Sequence, residues 1–351
     1  MRSGQPRTTL ELRAAPHAHG GPGVEQIMRQ VVYAILPLCA FSVYQFGLSA
    51  ALLIAIVTAT CLATEAGFAR VARRSNPLGD GSAAITGLLL ALTLPPGLPL
   101  WMGAVAGFIA IALGKVIFGG LGFNVFNPAL VGRAFAQAAF PAALTTWTPS
   151  LTEGRFQAII PSTLAWPLMQ PADVSVWAKS VAVDAFTGAT PLASFKFDGQ
   201  LTGAMQLLWG TPAGSAGEGS AVLILACGGY LALRRMLDWR IPAAILASAF
   251  ALAAVLHVID AVRFPPPQFM LLSGGLLLGA VFMATDMVGS PVTPRGVWLF
   301  GFLIGTLTIV IRLFGGLSEG VMYAILIGNA LAPLLDRWTQ PRAYGIGGGR
   351  R

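Results

Sequence analysis

Apolar and polar positions alternate along this chain in long blocks, not with the short period of a half-buried strand. Ten apolar runs stand out, at roughly 30–47, 48–69, 82–94, 100–118, 123–141, 220–236, 241–260, 270–284, 297–314 and 319–335. Runs of this length and composition predict membrane-spanning helices. The expected fold is an all-α polytopic membrane protein of about ten transmembrane helices. The third and eighth runs are the shortest, and each ends in helix breakers. Pro95-Pro96-Gly97-Leu98-Pro99 follows the third, and Thr285 to Pro294, with Gly289 and Pro291 inside, follows the eighth. Interrupted helices persist in lipid only where protein or a cavity satisfies the freed backbone groups, so these two mark the interior of the bundle.

The runs also repeat. Gly87-Leu88-Leu89-Leu90 recurs as Gly275-Leu276-Leu277-Leu278, and Phe118-Gly119-Gly120-Leu121 as Phe314-Gly315-Gly316-Leu317. Asn127-Pro128-Ala129-Leu130 has a counterpart in Asn329-Ala330-Leu331. The order is the same in both halves, which predicts two five-helix inverted repeats with binding sites near their interface. The expected organisation is an N-terminal tail (1–29), a first repeat (30–141), a long polar segment (142–219), a second repeat (220–336) and a C-terminal tail (337–351).

Composition supports a membrane protein: 55% of the 351 residues are hydrophobic and 10% charged. The 42 glycines and 24 prolines suit close helix contacts and helix breaks in lipid. The net charge of +8 does not point to nucleic acid, because the cations lie between apolar runs and form no single patch. Cys39, Cys61 and Cys227 sit in apolar runs without metal-ligand spacing, and His17 and His19 read as tail residues. The N-terminus lacks the apolar core and cleavage site of a signal peptide. No metal site is expected.

Loop charges predict orientation. Sixteen of the 22 Lys and Arg residues fall on the side of the termini, Lys115 among them. The other side holds Arg155, Lys179, Lys196, Arg263 and Arg312, while Arg133 falls within a run. This bias places both termini in the cytoplasm and segment 142–219 on the periplasmic face of a bacterial inner membrane.

Charges within or beside the runs need partners or a function. Asp80 and Asp286 lie near run ends, as interfacial caps or as contacts to a cofactor or cation. Arg133 can pair with an acid, a phosphate or a backbone carbonyl. Asn124 and Asn127, spaced i, i+3, are expected on one helix face. Their carboxamides can read the edge of a flat heterocycle or bond between helices.

The polar segment contains Asp184-Ala185-Phe186-Thr187-Gly188-Ala189-Thr190-Pro191-Leu192. It resembles the Ser/Thr-Gly-Ala-Thr signature at which bacterial flavin transferases attach FMN. Gly188 and Ala189 remove bulk beside Thr190, predicting a hydroxyl with little steric cover. Pro191 makes Thr190 equally a helix N-cap, and the two roles are compatible. Three further stretches accompany the motif: Gly79 to Ala83, Gly122 to Phe135, and Phe282 to Asp286 with Ser290-Pro291 and Thr293 to Gly296. Together they are similar to the NqrB/RnfD family, membrane components of the sodium-pumping NADH:quinone reductase and of the Rnf electron transport complex. The short N-terminal tail is closer to the Rnf branch and argues against a quinone site.

The resemblance implies FMN joined by a phosphoester to Thr190, with Thr187 the competing hydroxyl and Asp184 either positioning the flavin donor or solvated. It implies a second, noncovalent flavin, riboflavin, at Asn124 and Asn127. It also implies electron transfer between ferredoxin and NAD⁺ coupled to Na⁺ or H⁺ movement. The chain has no cysteine set for an iron–sulfur cluster and no nucleotide fingerprint, so that chemistry belongs to the other subunits of the complex. The remaining implied partners are the flavin transferase and membrane lipid. The other reading is an inverted-repeat transporter or channel without a flavin.

Overall fold

The computed structural model describes residues 23–73, 79–167, 169, 174, 177, 189–210 and 212–341. Among them every regular element is helical. The principal helices are α1 (Val24–Phe46), α2 (Leu48–Val71), α3 (Ser82–Thr93), α4 (Leu100–Ala112), α5 (Pro128–Ala139), α6 (Ala221–Leu233), α7 (Arg240–Ile259), α8 (Pro267–Leu272), α9 (Pro294–Phe314) and α10 (Val321–Thr339).

Among the described residues five helices are long and apolar enough to cross a membrane: Val24–Phe46, Leu48–Val71, Leu100–Phe118, Arg240–Ile259 and Pro294–Phe314. This corrects the expectation of about ten spans in two five-helix halves. The third and sixth runs form helices of 12 and 13 residues, about 18–20 Å at 1.5 Å per residue, against a hydrocarbon layer of about 30 Å. The fifth run loses its first turns because Gly119, Gly120 and Gly122 all adopt positive φ, and α5 starts only at Pro128. The eighth divides into α8, a single turn at Leu276–Leu278 and a π-helical turn at Gly279–Met283. The tenth is a 19-residue helix whose apolarity is interrupted by Asn329, Pro333, Asp336 and Arg337. Nor do the paired tetrapeptides share a backbone. Gly119 has φ +116° whereas Gly315 has φ −78°, and Asn127 caps α5 whereas Asn329 lies inside α10.

Helix boundaries follow local chemistry. Asp80 accepts from the backbone N and the hydroxyl of Ser82, at 2.9 and 2.6 Å, and starts α3. Asn127 starts α5 by accepting from Ala129 N and Leu130 N, with Pro128 in the first helical position, where its missing N–H costs nothing. Thr293 caps α9 in the same way, ahead of Pro294.

α2 packs on α3 and α4, α4 on α5, α7 on α9, and α9 on α10. At the α7–α9 crossing, Gly301 and Gly305 lie one turn apart against Ala244, Ile245 and Ser248, where a side chain would collide. Small residues at this spacing let two backbones approach closely, and such packing holds helices together where lipid offers no hydrophobic drive.

Candidate functional site

Two of the cavities among the described residues hold polar groups singled out by the sequence. The first, about 100 Å³, is lined by Ser82 and Thr86 at the start of α3, Lys115 after α4, Asn124 and Asn127 before α5, and Asp286. The second, about 230 Å³, is lined by Thr93 at the end of α3, Arg133 and Gln137 farther along α5, and Glu218 just before α6. Leu231 at the end of α6 lines the first cavity. The cavities therefore lie toward opposite ends of α3, α5 and α6, with the first turns of α5 between them.

In the first cavity the structure brings Asn124 and Asn127 together with Asp286, and the two asparagines do not share a helix face. Both asparagines precede α5, in the glycine-broken segment. The Asn127 carboxamide is largely engaged by protein: its oxygen caps α5 and its Nδ2 donates to Met283 O at 3.2 Å. One of its N–H groups remains for a ligand. Asn124 hydrogen-bonds the Asp286 side chain and donates from Nδ2 to Phe126 O at 3.2 Å. Burial raises the Asp286 carboxyl above its ordinary range, and the Val288 N–H and Asn124 oppose that rise.

Lys115 is not the loop cation its position suggested. It is 2% exposed, and its Nζ donates to the Glu65 carboxylate on α2 and to the Ser82 hydroxyl. Asp80, through Ser82, completes the chain of polar groups. An ion pair this deep implies hydrogen-bonded charges, because an unpartnered charge here would be strongly destabilising.

In the second cavity Arg133 takes one of its open options, donating to the backbone carbonyl of Thr93 at the end of α3. Glu218 and Glu319 converge on Gly274-Gly275. The Gly275 N–H donates to Glu319 at 3.4 Å, and Gly274, at φ +66°, has no room for a side chain beside the Glu319 carboxylate. Beneath this turn Arg312 of α9 donates to Met270 O and Ser273 O at 2.6 and 3.1 Å, holding the broken end of α8. Burial and the neighbouring Glu319 push the Glu218 carboxyl up to about 7, against the pull of Arg133 and of the Ser215 N–H.

Thr190 is the N-cap of the short helix that follows it, its Oγ accepting from Ala193 N at 3.2 Å. It is 1% exposed, so the open hydroxyl expected from its small neighbours is covered. Ala189 and Ala193, on either side of it, line the second cavity. Asp184, Thr187 and Gly188 lie outside the described residues. Lys196 fixes the segment in place, its Nζ donating to the carbonyls of Arg312, Gly315 and Leu317 at the end of α9. Residues 191–198 are thus tied to a spanning helix.

Sequence reasoning missed Glu65, Lys196, Glu218, Arg312 and Glu319. The available signal was scarcity: only 14 acids occur in 351 residues, and Glu218 and Glu319 each sit within a few residues of a helix start.

Residues 11–345 match the NQR2, RnfD, RnfE family. The chain is 38% identical over 348 residues to the D component of an ion-translocating oxidoreductase complex from Halorhodospira halophila, covering 95% of each chain. It is 36% identical to the D component of a proton-translocating ferredoxin:NAD(+) oxidoreductase complex from Clostridium ljungdahlii, over 97% of each. It is 37% identical to the D component of a Na(+)-translocating ferredoxin:NAD(+) oxidoreductase complex from Acetobacterium woodii, over 96% of each.

Proposed function

This chain belongs to the NQR2, RnfD, RnfE family, as a membrane subunit of an ion-translocating electron-transfer complex, and on that premise we propose that it carries FMN on Thr190. A second, noncovalent flavin, riboflavin, belongs to the cavity at Asn124, Asn127 and Asp286. In this reading the chain relays electrons between the other subunits of an Rnf-type complex that moves Na⁺ or H⁺. A flavin transferase matures it. Both termini are cytoplasmic, and the Thr190 segment is periplasmic.

The observation that supports the reading is that Ala189 and Ala193, on either side of Thr190, line the larger of these two cavities. The residues there fit a flat redox ring. Leu130, Leu278 and Met283 give apolar walls, while Arg133, Gln137 and Glu218 are polar groups at the edge. The volume, about 230 Å³, is below the ~300 Å³ usual for a whole small-molecule site, which suits a ring inserted from a tether and not a free ligand.

FMN in this position would supply reversible electron storage, while the protein sets its potential by burial and hydrogen bonding. Arg133, held by Thr93 O, keeps positive charge at the cavity edge. Lys196 fixes the segment after Thr190 against α9, so the tether point does not wander. The N-cap role leaves the Thr190 hydroxyl as an acceptor, and conversion to a phosphoester preserves acceptor oxygens at the helix start. Thr190 is 1% exposed, so this reading requires its hydroxyl to be uncovered when the flavin is attached.

The test is fluorescence of the denatured protein on a gel after co-expression with the transferase. The wild type and Thr187→Ala are expected to give a fluorescent band, and Thr190→Ala none. A wild type without a band would end the covalent-flavin reading. Sidedness is read separately: Gln200→Cys, at an exposed position after the motif, should react with an impermeant thiol reagent from the periplasm.

A further inference from the structure

The second cavity contains more ionisable chemistry than a flavin pocket needs for packing. Glu218 and Glu319 come from segments about 100 residues apart, yet both reach the Gly274-Gly275 turn. Each carboxylate lies within 3.6 Å of the point where a Gly275 side chain would begin. A side chain there would lie in van der Waals contact with both.

The pair is incompletely bonded. Glu218 accepts from Ser215 N at 3.4 Å and Glu319 from Gly275 N. Glu319 Oε1 is buried without a partner. The Ser215 hydroxyl, on a residue 2% exposed that lines the same cavity, also has none. Buried polar atoms are normally satisfied, and an unsatisfied acceptor and an unsatisfied hydroxyl on the wall of one cavity mark a place for a proton or a hydrogen-bonding ligand.

The charged groups facing the pair are Arg133 from α5 and Arg312 from α9, with Tyr323 from α10 also on the cavity wall. Two guanidiniums disfavour a metal cation between these carboxylates. A proton forms a covalent O–H bond on one oxygen, needs no coordination shell, and removes the repulsion between two acids sharing a site.

We propose that Glu218 and Glu319 form a proton-exchanging pair that takes up one proton when negative charge enters the cavity beside Thr190 and releases it when that charge leaves. The inference rests on the flavin assignment for the source of that charge. An electron arrives from a ferredoxin-type one-electron donor, and a proton from water forms an O–H bond on a Glu218 oxygen. When the electron passes to the next acceptor, that bond breaks and the proton returns to water. Glu319 is a positioning residue that keeps the proton's binding strength near neutrality, consistent with the rise of Glu218 to about 7.

Infrared spectroscopy of the assembled complex between pH 5.5 and 8.5 tests this. The wild type should show a protonated-carboxyl C=O band that disappears around pH 7. Glu218→Gln should lack it, and Glu218→Asp should keep it at a displaced pH. Glu319→Gln should move its loss to lower pH, because a negative neighbour is gone. In parallel, the midpoint potential of the tethered flavin should bend with pH near 7 in the wild type and lose that bend in Glu218→Gln. A band and bend that survive in Glu218→Gln, with the fluorescent gel band intact, would overturn the pair. Absence of the fluorescent band from the wild type would instead overturn the flavin assignment, leaving the infrared band to decide the pair.

Discussion

The backbone N–H of Asn127 donates to the side-chain oxygen of Asn329, 3.3 Å away and 202 residues later in the chain. Asn329 in turn donates from Nδ2 to Gly289 O at 2.8 Å, while Asn127 Nδ2 reaches Met283 O. Two carboxamides thus join the start of α5, the middle of α10 and the irregular segment before α9. Asn127 and Asn329 are both buried, at 5% and 1% exposed.

Removing either carboxamide should therefore cost more than an exposed hydrogen bond. Asn329→Ala leaves Asn127 N and Gly289 O without these partners, and about 1–3 kcal/mol of stability is expected to be lost. Asn127→Ala removes a helix cap as well, worth about 1 kcal/mol. The two losses share partners, so the double variant should fall short of their sum. Denaturant titration of the detergent-solubilised protein reads all three.

Lys115→Met should be among the most damaging substitutions in the bundle. It strands the Glu65 carboxylate, whose second oxygen already lacks a partner. Breaking a buried pair from one side costs about 3–5 kcal/mol, whereas replacing both members with apolar residues is often close to neutral. Lys115→Met/Glu65→Leu should accordingly recover most of the loss in the same titration. If the double variant is as unstable as the single one, the pair does more than satisfy charge.

Gly274→Ala tests the turn that carries the acid pair. At φ +66° a side chain is strained, and here it would also meet the Glu319 carboxylate and Leu192. The expected outcome is a lower melting temperature together with a displaced carboxyl band in the infrared titration. Gly229→Ala in α6, where no atom lies within 4 Å of the new carbon, is the control: it should leave the carboxyl band unchanged and, as a Gly→Ala change inside a helix, raise the melting temperature slightly.

Asp286 gives a stability term with a definite sign. Its folded carboxyl is raised above the ordinary 3.8, chiefly by burial. The folded state therefore holds the proton more tightly than the unfolded state does. This contribution is full below pH 3.8 and is lost as pH rises through the folded value. Asp286→Asn should flatten that part of the stability–pH curve. An unchanged curve would show that Asp286 is not the group responsible.

The sequence made the membrane class and the breaks after Thr93 and around Gly289 legible, and singled out Asn124, Asn127 and Asp286 without showing that the three meet. These depend on local signals: apolar runs, Pro and Gly, and polar residues where few occur. The number of spans was less readable, because an apolar run does not report where a helix starts inside it. Asn127-Pro128 cuts the fifth run, and Gly274 the eighth, by local capping and turn chemistry that hydropathy averages away. The Lys115–Glu65 pair and the meeting of Glu218 with Glu319 were hidden for a different reason. Each joins residues 50 to about 100 positions apart, and no periodicity encodes that closure.

The thinness of the partition between the cavities has an electrical consequence. Ala129 lines one cavity and Leu130, the next residue, the other, so the partition at the start of α5 is about one residue thick. With both cavities filled as the proposed function has them, they would polarise more readily than packed side chains, and a voltage across the membrane would fall most steeply at that partition. An elementary charge crossing the whole field exchanges about 2.3 kcal/mol for every 100 mV. An electron stepping from one cavity to the other would then meet much of that over a few ångströms, with the start of α5 as the dielectric gap of a capacitor.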